Sequence, residues 1–131
     1  MYQFSKLSNG IRIVSEQIPY LKSVCVGVWV KNAVELENEL GYAHFIEHML
    51  FKGTENKNAA EIALSIDEIG GQMNAFTSKE CTCFYTKTMD RHLETAVSVL
   101  GDIINHSLFS KENIETEKNV VLEEIQMYED S

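Results

Sequence analysis

Valine recurs at every second position through Val24, Val26, Val28 and Val30, and a period of two puts all four side chains on one face of a strand. Cys25, Gly27 and Trp29 line the other face. The segment from Ser23 to Val34 is therefore expected to be covered on both sides and to lie inside a sheet. Such a strand needs partners for its backbone and a layer to cover it. At 131 residues and 44% hydrophobic content, the chain can bury a core of its own, as one compact domain or a piece of one.

Before this strand, the turn pair Asn9-Gly10 precedes a short strand, Ile11-Arg-Ile-Val-Ser. After it the period becomes helical, with Ala43, Ile46 and Leu50 at i, i+3 and i+7 and a stop near Lys52-Gly53. A second helix carries Ile62, Ile66 and Ile69 and ends at Gly70-Gly71. The runs from Gln72 to Ser78 and from Cys81 to Met89 alternate as strand does, and are taken together as one long strand with an irregularity at Lys79-Glu80. Leu93, Ala96, Val97, Leu100, Ile103 and Ile104 form the cleanest amphipathic helix. A last helix starts at about Lys111, with Ile114, Val121 and Ile125 on one side. Strand, strand, helix, helix, strand, helix, helix predicts an α+β sandwich, with helices packed on one face of a largely antiparallel sheet.

Twenty acidic against 11 basic residues give a formal net charge of −9, which disfavours nucleic acid and anionic lipid as partners. The N-terminus has no basic start followed by an apolar run. No stretch reaches the ~20 apolar residues of a membrane helix. Cys25, Cys81 and Cys83 are odd in number and lie in alternating stretches, so they read as reduced strand residues of a cytoplasmic protein.

The chemical signal is Gly41-Tyr-Ala-His-Phe-Ile-Glu-His-Met-Leu-Phe-Lys-Gly-Thr54. His44 and His48 are four apart on a helix, only ~40° around its axis, so both imidazoles can converge on one ion. Glu47 falls about 60° to the other side of His44, beside a metal without being a ligand. Catalytic zinc commonly takes three protein ligands and leaves a position for water, whose proton a nearby carboxylate can accept. The order His-x-x-Glu-His inverts the commoner zincin motif. The third ligand must come from another element. The last helix offers Glu115, Glu117, Glu123 and Glu124, and the pair seven apart, Glu117 and Glu124, returns to within ~20° of one direction at the border of the apolar face. Each feature alone has an ordinary reading: a helical histidine packs or faces solvent, and an acidic helix face is solvated. His92 and His106 belong to no constellation and read as surface or capping residues.

Three blocks in order resemble the pitrilysin/insulinase family of zinc peptidases, and are most like its bacterial members and the mitochondrial processing peptidase β subunit. They are Ala43-His-Phe-Ile-Glu-His-Met-Leu-Phe-Lys-Gly-Thr54, Gly70-Gly-Gln-Met-Asn-Ala-Phe-Thr-Ser-Lys-Glu80 and Glu117-Lys-Asn-Val-Val-Leu-Glu-Glu-Ile125. The resemblance implies one zinc ion per chain, held by His44, His48 and Glu124, the last lying 124 − 48 = 76 positions after His48. It also implies two residues that serve catalysis: Glu47 as general base, and Glu117 supporting the site without touching metal. Choosing Glu124 over Glu123 rests on aligning Glu-Glu-Ile. Asn74, Ala75, Phe76 and Thr77 resemble the family's substrate-binding edge strand, which pairs with an extended peptide through backbone hydrogen bonds. Taken alone, they would be a plain strand, with Thr82, Cys83 and Phe84 as packing residues.

The resemblance implies a metallopeptidase acting on short or unfolded peptides. Family members are much longer, so residues 1–131 are expected to be a truncated N-terminal zinc-binding domain that can bind metal, is weak or inactive as a peptidase alone, and can self-associate through an apolar edge. The rival readings are a non-catalytic peptide-binding or scaffold subunit and a structural zinc site. Intact His44, Glu47, His48 and Glu124 speak against the first, and a three-ligand site against the second.

Overall fold

The computed structural model describes residues 2–31 and 37–130. Strands β1 (Tyr2–Lys6) and β2 (Arg12–Glu16) pair antiparallel as a separate hairpin, Tyr2 opposite Glu16 and Lys6 opposite Arg12. Gly10 takes a φ of 95° in its turn, a region where a Cβ is disfavoured. β1 was not marked by sequence periodicity. Its side chains are exposed along their length, so burial imposes no pattern on them.

The second sheet has β3 (Ser23–Lys31), β4 (Gln72–Thr77) and β5 (Cys81–Met89) in the order β3-β5-β4, all antiparallel. The expectation of an interior strand at 23–34 is corrected. β5 is the central strand, and β3 is an edge among the described residues. Val24, Val26 and Val28 are half-buried while Cys25, Gly27 and Trp29 are exposed. Alternation tells which side chains share a face, not whether anything covers the second face. Residues 32–34 of that expected strand lie outside the described residues. The single long strand expected across 72–89 is corrected too, because Lys79-Glu80 sit in a chain reversal. Ser78 N–H donates to the Cys81 carbonyl at 2.8 Å, and Ser78 Oγ accepts the N–H of Glu80 and Cys81, tightening the turn.

Four helices follow the predicted spacing: α1 (Glu37–Leu50), α2 (Ala59–Asp67), α3 (Leu93–Asn105) and α4 (Lys111–Asp130). α2 begins with a capping box, in which Asn58 Oδ1 accepts Glu61 N–H at 2.8 Å and Glu61 Oε1 accepts Asn58 N–H at 3.1 Å. α1 and α2 pack on β4, α3 on β5 and β3, and α4 on α1. The fold is thus α+β with its helices layered on one side of the three-stranded sheet. Leu50, Ile62, Ile66, Val99, Leu100 and Ile103 meet Phe84 of β5, with Val26, Val28, Met73 and Ala75 packed around them. Each fully buried side chain of this size contributes roughly 1.5–3 kcal/mol. In α3, Val99 enters the core and Val97 faces outward.

On the sheet's other face, Cys83 is buried between its cross-strand neighbours Trp29 and Phe76, whose rings meet edge to face at 5.5 Å. Burial pushes the Cys83 thiol up, and nearby Cys81 adds to the shift. All three cysteines are free. Among the described residues no helix is long and apolar enough to cross a membrane.

Candidate metal centre

The motif helix α1 stops at a latched loop. Gly53, at a φ of 140°, lets the chain leave α1, and Thr54 then turns back so that its N–H reaches the Lys57 carbonyl at 2.7 Å. The buried Thr54 hydroxyl donates to Asp102 Oδ2 at 2.6 Å, and Asn56 Nδ2 donates to Asp102 Oδ1 at 2.6 Å. Leu108 N–H to the Gly53 carbonyl (2.9 Å) and Glu55 N–H to the His106 carbonyl (2.9 Å) close the seam with the end of α3. Burial works against the Asp102 charge, but the hydrogen bonds from Thr54 and Asn56, with His106 and Lys57 nearby, hold its carboxyl below the usual range. Sequence reading passed over Asp102, because a lone acid within a helix has no local signature.

His44 and His48, one turn apart on α1, meet Glu124 of α4. His44 Nε2 lies 2.5 Å from Glu124 Oε2, His48 Nε2 lies 3.4 Å from the same oxygen, and the two Nε2 atoms are 3.2 Å apart. These three are the group of His, Cys and acidic donors that could hold a metal ion among the described residues. Glu123, one position earlier, is exposed and outside it. Donors about 2.0–2.1 Å from a tetrahedral zinc would stand about 3.3 Å apart. Two of the three separations match that spacing, and the third is closed to hydrogen-bond distance. Two imidazoles and a carboxylate, leaving a fourth position open, suit catalytic zinc.

Glu117, one helical repeat before Glu124, turns inward with a side chain only 5% exposed. Its Oε2 lies 2.9 Å from His48 Nδ1, and its Oε1 lies 2.6 Å from Lys52 Nζ. Burial alone would raise this carboxyl, yet the hydrogen bonds and charges of Lys52 and His48 outweigh it and hold it below its ordinary value. An ionised carboxylate only accepts, so the proton on His48 Nδ1 makes the contact with Glu117, and a neutral His48 would present its Nε2 lone pair to the cluster. Lys52 was missed by the sequence reading. The signal was present, since Lys52 is four positions after His48 and so on the same side of the helical path.

Glu47 stands outside the donor trio, where Thr77 of β4 donates its hydroxyl to Glu47 Oε2. Asn74, Ala75, Phe76 and Thr77 all lie on β4, which has β5 on one side and no strand on the other among the described residues. Ala75 and Thr77 point toward the helices, and Asn74 and Phe76 away. Asn74 Oδ1 accepts the Ala75 N–H at 2.8 Å. His92 and His106 stay outside the cluster: His92 accepts from Arg91 Nε at 3.2 Å, and His106 lies near Asp102.

Residues 12–131 match the family Insulinase (Peptidase family M16). The uncharacterized zinc protease YmxG of Bacillus subtilis (strain 168) is 54% identical over 125 residues, covering 94% of this chain and 31% of that protein. An uncharacterized zinc protease of Rickettsia felis is 39% identical over 132 residues, 99% of this chain and 32% of its own length. Among solved structures, a protease from Helicobacter pylori superposes with a TM-score of 0.86 at 28% identity, covering 95% of this chain and 30% of the other. The chain therefore spans about a third of the length of these relatives.

Proposed function

The chain belongs to the insulinase family of peptidases, and from that premise and its donor cluster we propose that it is the zinc-binding part of a metalloendopeptidase acting on short or unfolded peptides. The observation that carries this reading is the convergence of His44 Nε2, His48 Nε2 and Glu124 Oε2, with Glu47 on the same helix α1, one residue before His48. Relatives named zinc proteases support the choice of metal.

In this reading His44, His48 and Glu124 hold one zinc ion. When bound, zinc acts as a Lewis acid, polarising the scissile carbonyl and making water more acidic. Glu47 is the general base. It takes the proton of the attacking water as the new C–O bond forms, and returns a proton to the amine as the C–N bond breaks. Thr77 orients Glu47 through its hydroxyl, and Glu117 keeps His48 in the right tautomer. An extended peptide adds to the open edge of β4 near Asn74, Ala75, Phe76 and Thr77, so backbone pairing brings its carbonyl beside Glu47.

The test is zinc content after dialysis, paired with cleavage of a quenched fluorescent peptide by the full-length protein. Wild type should hold one zinc per chain, and His48→Ala and Glu124→Gln should lose it. Glu47→Gln should keep the metal and lose roughly 10²–10⁴-fold in kcat. A folded wild type without zinc overturns the metal site. A Glu47→Gln protein of undiminished kcat overturns the base, and zinc binding without any cleavage favours a peptide-binding subunit.

A further inference from the structure

We propose that Lys52 is a positioning residue for the metal centre: its ammonium group anchors Glu117, which in turn holds His48 with Nε2 directed at His44 and Glu124. The inference rests on the zinc reading above and adds a residue with no role in it. It is carried by a continuous chain of contacts. Lys52 Nζ lies 2.6 Å from Glu117 Oε1, Glu117 Oε2 lies 2.9 Å from His48 Nδ1, and His48 Nε2 lies 3.2 Å and 3.4 Å from the other two donors.

Both oxygens of Glu117 are thereby used, one by a cation and one by the ring. The terminal torsion of a glutamate is broad, so a single partner leaves the carboxylate free to turn. Two partners on opposite oxygens fix its plane, and with it the plane of the imidazole. The Glu117 side chain is also too buried for water to replace the cation, and a buried carboxylate without a partner charge is costly. Lys52 is suited to this because it follows the last turn of α1 and is itself 37% exposed at the side chain. Its ammonium can stay partly hydrated while its stem lies along the helix end. Glu117 and Glu124 each bring a carboxylate to the histidines, and Lys52 is the cation paired with Glu117 among the described residues.

Zinc affinity, read by competition with a chromophoric chelator, and the visible spectrum of the cobalt(II)-substituted protein test the inference. Lys52→Met is expected to weaken zinc binding about tenfold, the low end of outer-shell losses, and to shift the cobalt bands. Lys52→Arg should restore both. In a Glu117→Gln background, where the relay is already broken, Lys52→Met should change affinity by less than about twofold. Melting in the presence of chelator shows which variants fold, and Lys52→Gln replaces Lys52→Met if the latter does not, with the same expectation. A folded Lys52→Met protein that binds zinc as tightly as wild type, or a loss that persists undiminished beside Glu117→Gln, overturns the relay and leaves the zinc site standing. A wild type without zinc overturns both.

Discussion

Asp102 accepts from Thr54 and Asn56 through separate oxygens, so a single carboxylate ties the loop after α1 to α3. Its folded pKa lies below the unfolded value of about 3.9, so its stabilisation is fully present above that value. The stabilisation is lost as pH falls through the lower folded value. Asp102→Asn removes the charge and leaves one of the two donors with a poor partner. The variant should melt lower than wild type at pH 7, by on the order of 1 kcal/mol for a half-buried group. The gap should narrow below about pH 4, as the wild-type carboxyl gains its proton. Thermal melts of both proteins between pH 2 and 7 check this. A gap independent of pH would mean that shape rather than charge holds the loop.

The joint between α2 and β4 shows how elements constrain one another. Gly70 turns the chain at a φ of 67°, and Gly71 N–H closes back on the Ile66 carbonyl at 3.0 Å. A Cβ on Gly71 would stand 2.8 Å from Thr88 Cγ2 and 3.2 Å from both Ile66 Cγ2 and the Lys87 carbonyl. Gly71→Ala therefore forces helix and sheet apart and should cost about 1–3 kcal/mol, the range for overpacking. At Gly70 a Cβ meets nothing within 4 Å, so Gly70→Ala should cost only the backbone strain, roughly 1–2 kcal/mol. Urea denaturation of the two variants reads the difference. If Gly71→Ala is as stable as wild type, the joint is looser than its contacts imply. The same joint sets where β4 runs, and so where Thr77 meets Glu47.

Across the whole molecule, the donors come from two helices distant in sequence, α1 and α4, and α4 packs on α1. A metal held by His44, His48 and Glu124 as proposed would bridge that contact and stabilise the folded state by mass action. Free zinc at a hundred times its dissociation constant would add about 2.7 kcal/mol. Chelation should therefore lower the melting temperature of wild type, and leave that of Glu124→Gln nearly unchanged. Calorimetry with and without chelator measures this. Equal shifts in the two proteins would place the stabilising metal elsewhere.

Local pattern was enough to mark what repeats along the chain. The spacing of His44, Glu47 and His48, the seven-residue step from Glu117 to Glu124, the four helices and the antiparallel α+β class all follow from angles per residue, which adjacent residues set for themselves. The resemblance points to Glu124, and the fold brings that residue, not Glu123, to the two histidines. Long-range packing decided the rest. Period two could not say that β3 stands at an edge with Trp29 exposed, because strand order depends on which partner the backbone finds. Alternation marked an irregularity at Lys79-Glu80 but could not tell a reversal between two strands from a kink within one. Thr77 reaching Glu47, Lys52 reaching Glu117 and Thr54 reaching Asp102 join residues 30, 65 and 48 positions apart. Such contacts have no period to betray them, and exist only once the helices have been laid on the sheet.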